Sequence, residues 1–210
     1  MIRQQSKDLY FAANRMLVLP NTWWARWRYR NPPADGYRIN LGSGRDYRAG
    51  LLNVDGNIAC RKDLWIDLRN RLPFPDRSAS LVFCCHMLEH LFPDDAIRLL
   101  AEVRRILRDD GVARIATPGM EYAMDIARGG TIMQFPRPFE DTLGQVVNYL
   151  FCEGQHKYAY SFGVMQDFAR QAGFTRIRHY SAEHGVTPAT YHGVAVGSEP
   201  GGSLVVELQR

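Results

Sequence analysis

Apolar residues along the chain fall either in short continuous runs or at helical spacing, and the two kinds of segment alternate. The continuous runs predict strands at residues 37–41, 51–55, 64–68, 80–85, 112–117, 174–180 and 203–208. Helical spacing predicts helices at residues 3–17, 23–30, 94–108, 142–151 and 161–172. Since strands that alternate with helices favour parallel pairing, the pattern predicts an α/β fold with a mostly parallel sheet.

The clearest of these helices is the one predicted over residues 94–108. Two aspartates stand in its first turn and three arginines in its last, which is the order that the helix dipole favours. Gly111 is the predicted end of this helix. The strand before it, residues 80–85, is an unbroken apolar run, typical of a strand covered on both faces.

Residues 1–36 precede the first strand and are predicted to form an N-terminal helical arm. The first helix of this arm has an apolar side formed by Leu9, Tyr10, Ala13, Met16 and Leu17. Pro20 is expected to end that helix, and either of the two polar residues after it can cap the second.

Aromatic and cationic residues alternate in the second helix of the arm, where Trp23, Trp24 and Trp27 stand among Arg26, Arg28 and Arg30. Three interpretations remain open at this point. The indoles pack on the domain, or the arm is a lid over a substrate site, or the helix lies on an anionic membrane surface.

A glycine turn follows the strand at residues 37–41. Gly42 and Gly44 lack Cβ atoms, so the backbone can take positive φ and a ligand can approach closely. Ser43 adds a small hydroxyl between them. A strand that enters such a turn early in an alternating chain is the usual place for a nucleotide-like ligand.

The next strand ends at Asp55, and a carboxylate there can accept hydrogen bonds from both ribose hydroxyls of a nucleotide. Ten residues separate Gly44 from Asp55. That interval is too short for a normal crossover helix and a strand, so the first crossover helix is expected to be short or missing.

Composition and charge narrow the class of protein. The 210 residues suffice for one domain plus an arm, and the net charge is +4, with a net +7 in residues 1–62. This asymmetry permits contact with an anionic partner, but the charges form no continuous run, so we prefer a solvated surface as the explanation. The four cysteines show no zinc spacing and predict free thiols. Arg15 interrupts the apolar stretch near the N-terminus, so no secretory signal is expected, and we expect a cytosolic protein.

The order of motifs resembles that of the class I S-adenosylmethionine-dependent methyltransferases, in particular the methyltransferase type 11 group. The resemblance rests on Leu-Gly-Ser-Gly at 41–44, Asn-Val-Asp at 53–55, Leu-Pro-Phe-Pro-Asp at 72–76, and His-Met-Leu-Glu-His-Leu at 86–91. It covers roughly residues 37–118. It implies a Rossmann-like, mostly parallel seven-stranded sheet, with residues 37–210 as the methyltransferase domain and a helical lid insertion at 119–160.

The resemblance also implies a site and a cofactor, S-adenosylmethionine. Gly42, Ser43 and Gly44 would pass under its methionine part, and Asp55, with Gly56 beside it, would hold the ribose. The cofactor positions that remain are Asn40 in the first strand, Asp67 and Leu68 at the adenine edge, and Cys85 and His86 at the sulfonium end. Asn40 departs from the family, because many members carry a carboxylate there.

Methyl transfer from a sulfonium is an in-line displacement, so this chemistry needs no metal, and alignment alone can lower the barrier by about 7–11 kcal/mol. A base is needed only if the acceptor must lose a proton. His86 is the first candidate base and His156 the second. Glu89 and His90 are equally well explained as residues that brace the following helix.

Two alternatives stand beside this hypothesis. A nicotinamide dinucleotide enzyme would need a third glycine where Tyr47 stands and a ribose carboxylate farther along than Asp55. A non-catalytic methyltransferase-like module that binds cofactor or a partner fits the altered Asn40. For the acceptor we prefer a small molecule or a glycan precursor, because no nucleic-acid-reading module is recognised. The acceptor atom and the oligomeric state stay open.

Overall fold

In the computed structural model, which describes residues 4–129, 139–180 and 199–210, seven strands form one sheet with helices around it. The strands are β1 (Tyr37–Leu41), β2 (Leu52–Asp55), β3 (Leu64–Trp65), β4 (Ala79–Cys85), β5 (Leu107–Pro118), β6 (Arg176–Tyr180) and β7 (Ser203–Gln209). The helices are α1 (Gln4–Leu17), α2 (Leu19–Arg28), α3 (Pro93–Ile106), α4 (Met120–Ala127), α5 (Thr142–Phe151) and α6 (Phe162–Gln171).

The strand order is β3-β2-β1-β4-β5-β7-β6, and only β7 runs antiparallel to its neighbours. Residues 42–51, between β1 and β2, form turns with no helix. The predicted sheet and the missing first crossover helix are therefore both confirmed. Because β1, β2 and β4 are parallel neighbours, the glycine turn, Asp55 and Cys85 meet at one edge of the sheet.

Helix α3 ends earlier than the sequence predicted. Its last residue is Ile106, and the backbone at Leu107 is already extended (φ −64°, ψ 137°). Gly111 does not end the helix but lies inside β5, where a Cβ atom would come within 2.8 Å of the Ala79 carbonyl oxygen. The glycine is needed there because β4 and β5 shift register at this point and their backbones approach closely.

The two arm helices are joined through Val18, and helical hydrogen bonding continues across the junction. The Val18 N–H donates to the Asn14 carbonyl (3.0 Å), and the Thr22 N–H donates to the Val18 carbonyl (2.8 Å). Pro20 therefore does not end α1 but lies in the first turn of α2. Its missing N–H is tolerated in a first turn, because the N–H groups there have no partner within the helix. The Asn21 side chain donates to the Trp65 carbonyl, and the Thr22 hydroxyl bonds the Val18 carbonyl, so neither caps a helix.

The inward face of the arm differs from the one that its apolar pattern suggested. The buried residues, at a spacing of three or four, are Asn14, Val18, Thr22 and Ala25. Leu9, Met16 and Leu17 are exposed, as are all three tryptophans of α2. The interpretation that the indoles pack on the domain is therefore wrong, since the four buried residues occupy the inward face and the indoles do not.

Candidate active site

The glycine turn and Asp55 are joined by hydrogen bonds at the edge of the sheet. Asp55 Oδ2 accepts from the Gly44 N–H (2.7 Å), and its Oδ1 accepts from the Asn57 N–H (2.6 Å). Gly42 and Gly44 both have positive φ, +68° and +50°. A carboxylate offers about four lone-pair directions, so two remain for a ligand that lies across the turn.

The turn leaves both polar capacity and space for such a ligand. The hydroxyl oxygen of Ser43 is buried and has no hydrogen-bond partner within the described part of the chain. A Cβ atom at Gly44 would meet nothing closer than the Gly42 carbonyl, at 4.0 Å. Because buried polar groups normally have partners, the unpaired Ser43 hydroxyl beside open space fits the tail of S-adenosylmethionine. At Gly42, by contrast, a Cβ atom would overlap the Met87 side chain, which lies over the turn.

One buried amide organises the loop that replaces the missing helix. Asn53 is fully buried, and its Oδ1 accepts from the Asn40 side chain (3.0 Å) and the Arg48 N–H (2.9 Å). Its Nδ2 donates to the carbonyls of Arg48 (3.0 Å) and Leu51 (2.8 Å) and to Asp63 Oδ2 (3.1 Å). Asn40 therefore serves the loop, since its amide also donates to the Asp46 carbonyl (3.0 Å).

Helix α1 covers the loop after β2. The Gly56 carbonyl accepts from the Tyr10 hydroxyl (2.9 Å), from Asn14 Nδ2 (3.1 Å) and from Trp65 Nε1 (3.0 Å). Asn14 is fully buried, and its Oδ1 has no hydrogen-bond partner in residues 4–129, 139–180 and 199–210. The arm thus packs against Gly56 and lies beside the predicted adenosine site.

The predicted adenine-edge residues are already engaged. Both carboxylate oxygens of Asp67 are bound by the Arg69 guanidinium, at 2.9 Å to Oδ1 and 2.5 Å to Oδ2, and Arg69 also donates to the Phe11 carbonyl of α1. This pairing raises the pKa of Arg69. Leu68 is buried within the main hydrophobic core. Their contact with adenine stays a prediction.

The end of β4 holds the residues predicted for the sulfonium end. Cys85 is partly buried, and burial raises the pKa of its thiol to about 12, so it is a neutral thiol at physiological pH. His86 has φ +50°, an uncommon conformation for a non-glycine residue that marks local strain. Its Nε2 lies 2.7 Å from the Ser203 hydroxyl, which itself donates to the Pro200 carbonyl (2.6 Å).

Because the Ser203 hydroxyl already donates its hydrogen bond to a carbonyl, it can only accept from His86. His86 Nε2 must therefore carry a proton and donate a hydrogen bond to Ser203. The lone pair of the neutral ring is then on Nδ1, 3.7 Å from Glu89 Oε1. Burial, with a smaller contribution from His156, lowers the pKa of His86 to about 4. His86 is therefore neutral at physiological pH and fixed in one tautomer.

Glu89 lies at the centre of the histidines. It sits in the short 3₁₀ helix Leu88–His90 with 1% of its side chain exposed, and neither carboxylate oxygen has a hydrogen-bond partner among the described residues. Burial raises its pKa to about 8. His156 Nε2 lies 4.0 Å from Glu89 Oε1, so the structure brings His156 beside His86 as part of one cluster.

Sequence reasoning missed three residues of this site. Ser203 lies 117 residues from His86, and no local pattern connects the two. Asn53 was visible only as part of a strand, although an amide in an otherwise apolar run is a signal of internal hydrogen bonding. Met87 was visible as part of the His-Met-Leu-Glu-His-Leu motif, but its position over Gly42 was not.

Comparisons with known proteins agree with this geometry. The profile of a family described as "Methyltransferase domain" matches residues 57–115, whereas no curated protein sequence matches the chain. Among solved structures, the chain is similar to a SAM dependent methyltransferase from Archaeoglobus fulgidus, with a TM-score of 0.53 and 14% identity over 90% of this chain and 94% of that one.

A second similar structure is a complex between the Haloferax volcanii Trm112 methyltransferase activator and a methyltransferase. The TM-score is 0.51 and the identity 16%, over 100% of this chain and 99% of that one. At these identities the likeness shows the fold.

The strand order and the sheet edge at which the glycine turn meets Asp55 are those of the class I S-adenosylmethionine-dependent methyltransferase fold. The family match lies within the region where the sequence motifs resemble the methyltransferase type 11 group. The chain thus has the fold of the class I S-adenosylmethionine-dependent methyltransferases, and residues 57–115 match the profile of a methyltransferase domain.

Proposed function

We propose that this protein transfers a methyl group from S-adenosylmethionine to a small-molecule or glycan-precursor acceptor. The observation that carries the proposal is the edge formed by the glycine turn and Asp55, with an unpaired Ser43 hydroxyl and open space at Gly44. These features fit the tail and ribose of the cofactor. The absence of a recognised nucleic-acid-reading module in the sequence supports the acceptor class.

In this proposal the residues act by binding and alignment. Asp55 accepts hydrogen bonds from the ribose hydroxyls, while the turn at Gly42–Gly44 holds the methionine part. His86 would line the sulfonium end of the bound cofactor, beside the methyl group that the acceptor receives. When the cofactor is bound it supplies the electrophilic methyl group, and these residues supply its orientation.

The remaining cofactor and base assignments are part of the same proposal. Cys85 is placed near the sulfonium, Asp67 and Leu68 near the adenine, and His156 beside the acceptor. Residues 119–160 form a substrate-binding insertion. Residues 130–138 of this segment lie outside the described residues. The support comes from its described part, where the Lys157 N–H donates to the Glu89 carbonyl (2.7 Å) and the Tyr149 hydroxyl to the Gly202 carbonyl (2.7 Å).

A second candidate function is a methyltransferase-like module that acts through a partner. The similarity to a structure of a methyltransferase held by an activator protein favours this candidate, as does the use of Asn40 in a loop network. It predicts tight cofactor binding without turnover when the chain is alone.

Thermal unfolding of the full chain with S-adenosylmethionine, S-adenosylhomocysteine and NAD tests the cofactor. At a 100-fold excess over the dissociation constant, a ligand adds about 2.7 kcal/mol of stability. For a chain of this size each kcal/mol raises the midpoint by roughly 2–4 °C. We expect a rise of about 5–10 °C with both methionine-derived ligands and none with NAD.

Release of S-adenosylhomocysteine in the presence of sugar nucleotides and small hydroxylated acceptors then tests transfer. A midpoint that moves with NAD alone, or with none of the three ligands, would contradict the cofactor site. Binding without release, restored by a partner protein, would favour the second candidate.

A further inference from the structure

The Glu89 cluster contains three ligand atoms of the kind that transition metals prefer. One atom each from Glu89, His90 and His156 lies within 4.8 Å of the other two. Two imidazole nitrogens and one carboxylate oxygen form the donor set of many catalytic zinc sites. In a tetrahedral site with bonds of roughly 2.1 Å, ligand atoms lie about 3.4 Å apart, so a cation would draw these atoms inward by about an ångström.

The hydrogen bonds of the two histidines fix the tautomer of each ring. His156 Nδ1 lies 2.7 Å from the Leu150 carbonyl, and His90 Nδ1 lies 3.1 Å from the Gln155 carbonyl. Since a carbonyl can only accept, each Nδ1 carries a proton when the bond forms, and the lone pair of the neutral ring is on Nε2. A backbone carbonyl behind the ring is the arrangement found around metal-bound histidines.

Glu89 supplies a second and independent observation. Its two oxygens are buried without hydrogen-bond partners among the described residues, although burying a polar group without a partner costs about 1–3 kcal/mol. His86 Nδ1 and His156 Nε2 lie 3.7 and 4.0 Å from Oε1, beyond hydrogen-bond distance. A cation between the carboxylate and the His156 ring would satisfy both the Glu89 oxygen and His156 Nε2.

We propose that Glu89, His90 and His156 bind one divalent transition-metal ion, with Zn²⁺ as the best match to their donor set. Three protein ligands leave a coordination position open, as in catalytic zinc sites. Because His86 borders both Glu89 and the predicted sulfonium end, the open position is suited to an acceptor oxygen. This last role rests on the proposed methyl transfer, whereas the metal site does not.

Equilibrium dialysis of chelator-treated full-length protein against Zn²⁺, with Mg²⁺ in parallel, tests the site. We expect one Zn²⁺ per chain and weak binding of Mg²⁺. Glu89→Gln and His156→Gln should each weaken Zn²⁺ binding by about 100-fold or more, since loss of outer partners alone costs roughly 10–100-fold. His179→Gln is the matched control, because His179 is exposed on β6 and stacks on Phe162.

Far-ultraviolet circular dichroism shows whether each variant is folded. His90→Gln tests the third proposed ligand, which is more exposed than Glu89 and His156. Zn²⁺ affinity within about twofold of the wild type in folded Glu89→Gln and His156→Gln would overturn the site. So would an equal loss in His179→Gln. S-adenosylmethionine binding, measured on the same samples, keeps failure of the metal site distinct from failure of the proposed function.

The outer face of the arm carries an independent inference. Trp23 and Trp27 lie one turn apart on α2 with 69% and 63% of their surface exposed, and Trp24, Met16 and Leu17 are exposed near them. Residues 1–30 contain six Lys or Arg and one Asp. No helix among the described residues is long and apolar enough to cross a membrane, but a helix with interleaved indoles and guanidiniums matches a bilayer interface.

We infer that this face of the arm binds the surface of an anionic lipid bilayer. A second copy of the chain is a poor occupant, because a two-fold contact would bring one strongly cationic face against another. Nucleic acid would match the charge but not the aliphatic part of the face. An anionic bilayer matches both, since phosphates lie at its surface and hydrocarbon beneath them.

Co-sedimentation of the full chain with vesicles tests the inference. We expect binding to vesicles of phosphatidylcholine with phosphatidylglycerol, little binding to phosphatidylcholine alone, and loss of binding at high salt. Trp23→Gln with Trp27→Gln should abolish it. The matched control is Leu143→Gln with Val147→Gln, a pair with the same spacing on α5 and exposures of 66% and 57%.

Equal vesicle binding by the tryptophan pair variant and the wild type would overturn the inference that this face binds a bilayer. So would failure of the wild type to sediment with the anionic vesicles. A dimer in light scattering that the tryptophan substitutions dissociate would also overturn it, in favour of a contact between copies.

Discussion

Replacing Asp55 with alanine is expected to reduce the affinity for S-adenosylmethionine by about 100-fold or more. Two hydrogen bonds from ribose hydroxyls to a charged carboxylate contribute roughly 1.5–3 kcal/mol each, and 1.4 kcal/mol is a factor of ten. The variant also loses the bond from the Gly44 N–H (2.7 Å), so the turn itself becomes less ordered. Isothermal titration calorimetry with S-adenosylhomocysteine measures the effect directly.

Two further variants separate the ribose contact from general damage. Asp55→Asn keeps the size of the side chain and one acceptor oxygen, so its affinity should fall between wild type and alanine. Asp46→Ala removes an exposed carboxylate of the same loop, whose side chain pairs with Arg48, and the affinity of this variant should stay near that of the wild type. Unchanged affinity in Asp55→Ala would show that the cofactor lies elsewhere.

Replacing Asn53 with alanine is expected to lower the free energy of unfolding by about 2–5 kcal/mol. The substitution deprives the Arg48 N–H and the Leu51 carbonyl of their partner in a buried position, and each unsatisfied buried group costs roughly 1–3 kcal/mol. For a chain of this size the midpoint should fall by roughly 4–20 °C. Differential scanning calorimetry measures this, provided that unfolding is reversible.

The Asn53 variant should also bind the cofactor more weakly, because the loop that follows the glycine turn depends on this amide. Asn53→Asp retains the size but cannot donate to the two carbonyls, and it places a second carboxylate beside Asp63, so it should be no more stable than the alanine variant. Asn70→Ala is the control. Asn70 lies in the connection between β3 and β4, and at the surface its side chain donates to the Arg15 carbonyl of α1 (3.1 Å). If Asn53→Ala and Asn70→Ala unfold at the same midpoint, the proposed importance of the network is wrong.

Features set by local pattern were predictable from the sequence. The apolar runs gave six strands within a few residues of their observed bounds, and the interval from Gly44 to Asp55 excluded a crossover helix. The helix at 142–151 was predicted with its observed bounds. The error at Gly111 arose because a glycine after a helix usually ends it, whereas here the glycine serves a close approach of two strands.

By itself the sequence determined the α/β class, the order of motifs and the edge at which a glycine turn meets a carboxylate. These follow from the periods of strands and helices and from the conformational freedom of glycine, which are local properties of the chain. Only the tertiary structure decided which face of the arm turns inward. Periodicity shows which residues share a face of the helix. Which face turns inward depends on the hydrogen bonds that Tyr10 and Asn14 donate to the Gly56 carbonyl, 42 to 46 residues away.

The tertiary structure likewise decided the surroundings of the histidines. Ser203 fixes the tautomer of His86 from the last strand, and His156 reaches Glu89 from the segment after α5. Contacts between residues so distant in the chain leave no trace in local spacing, because they depend on how the elements pack. For this reason the sequence indicated the cofactor, whereas the cluster around Glu89 and the metal site that we propose there became visible only in the folded chain.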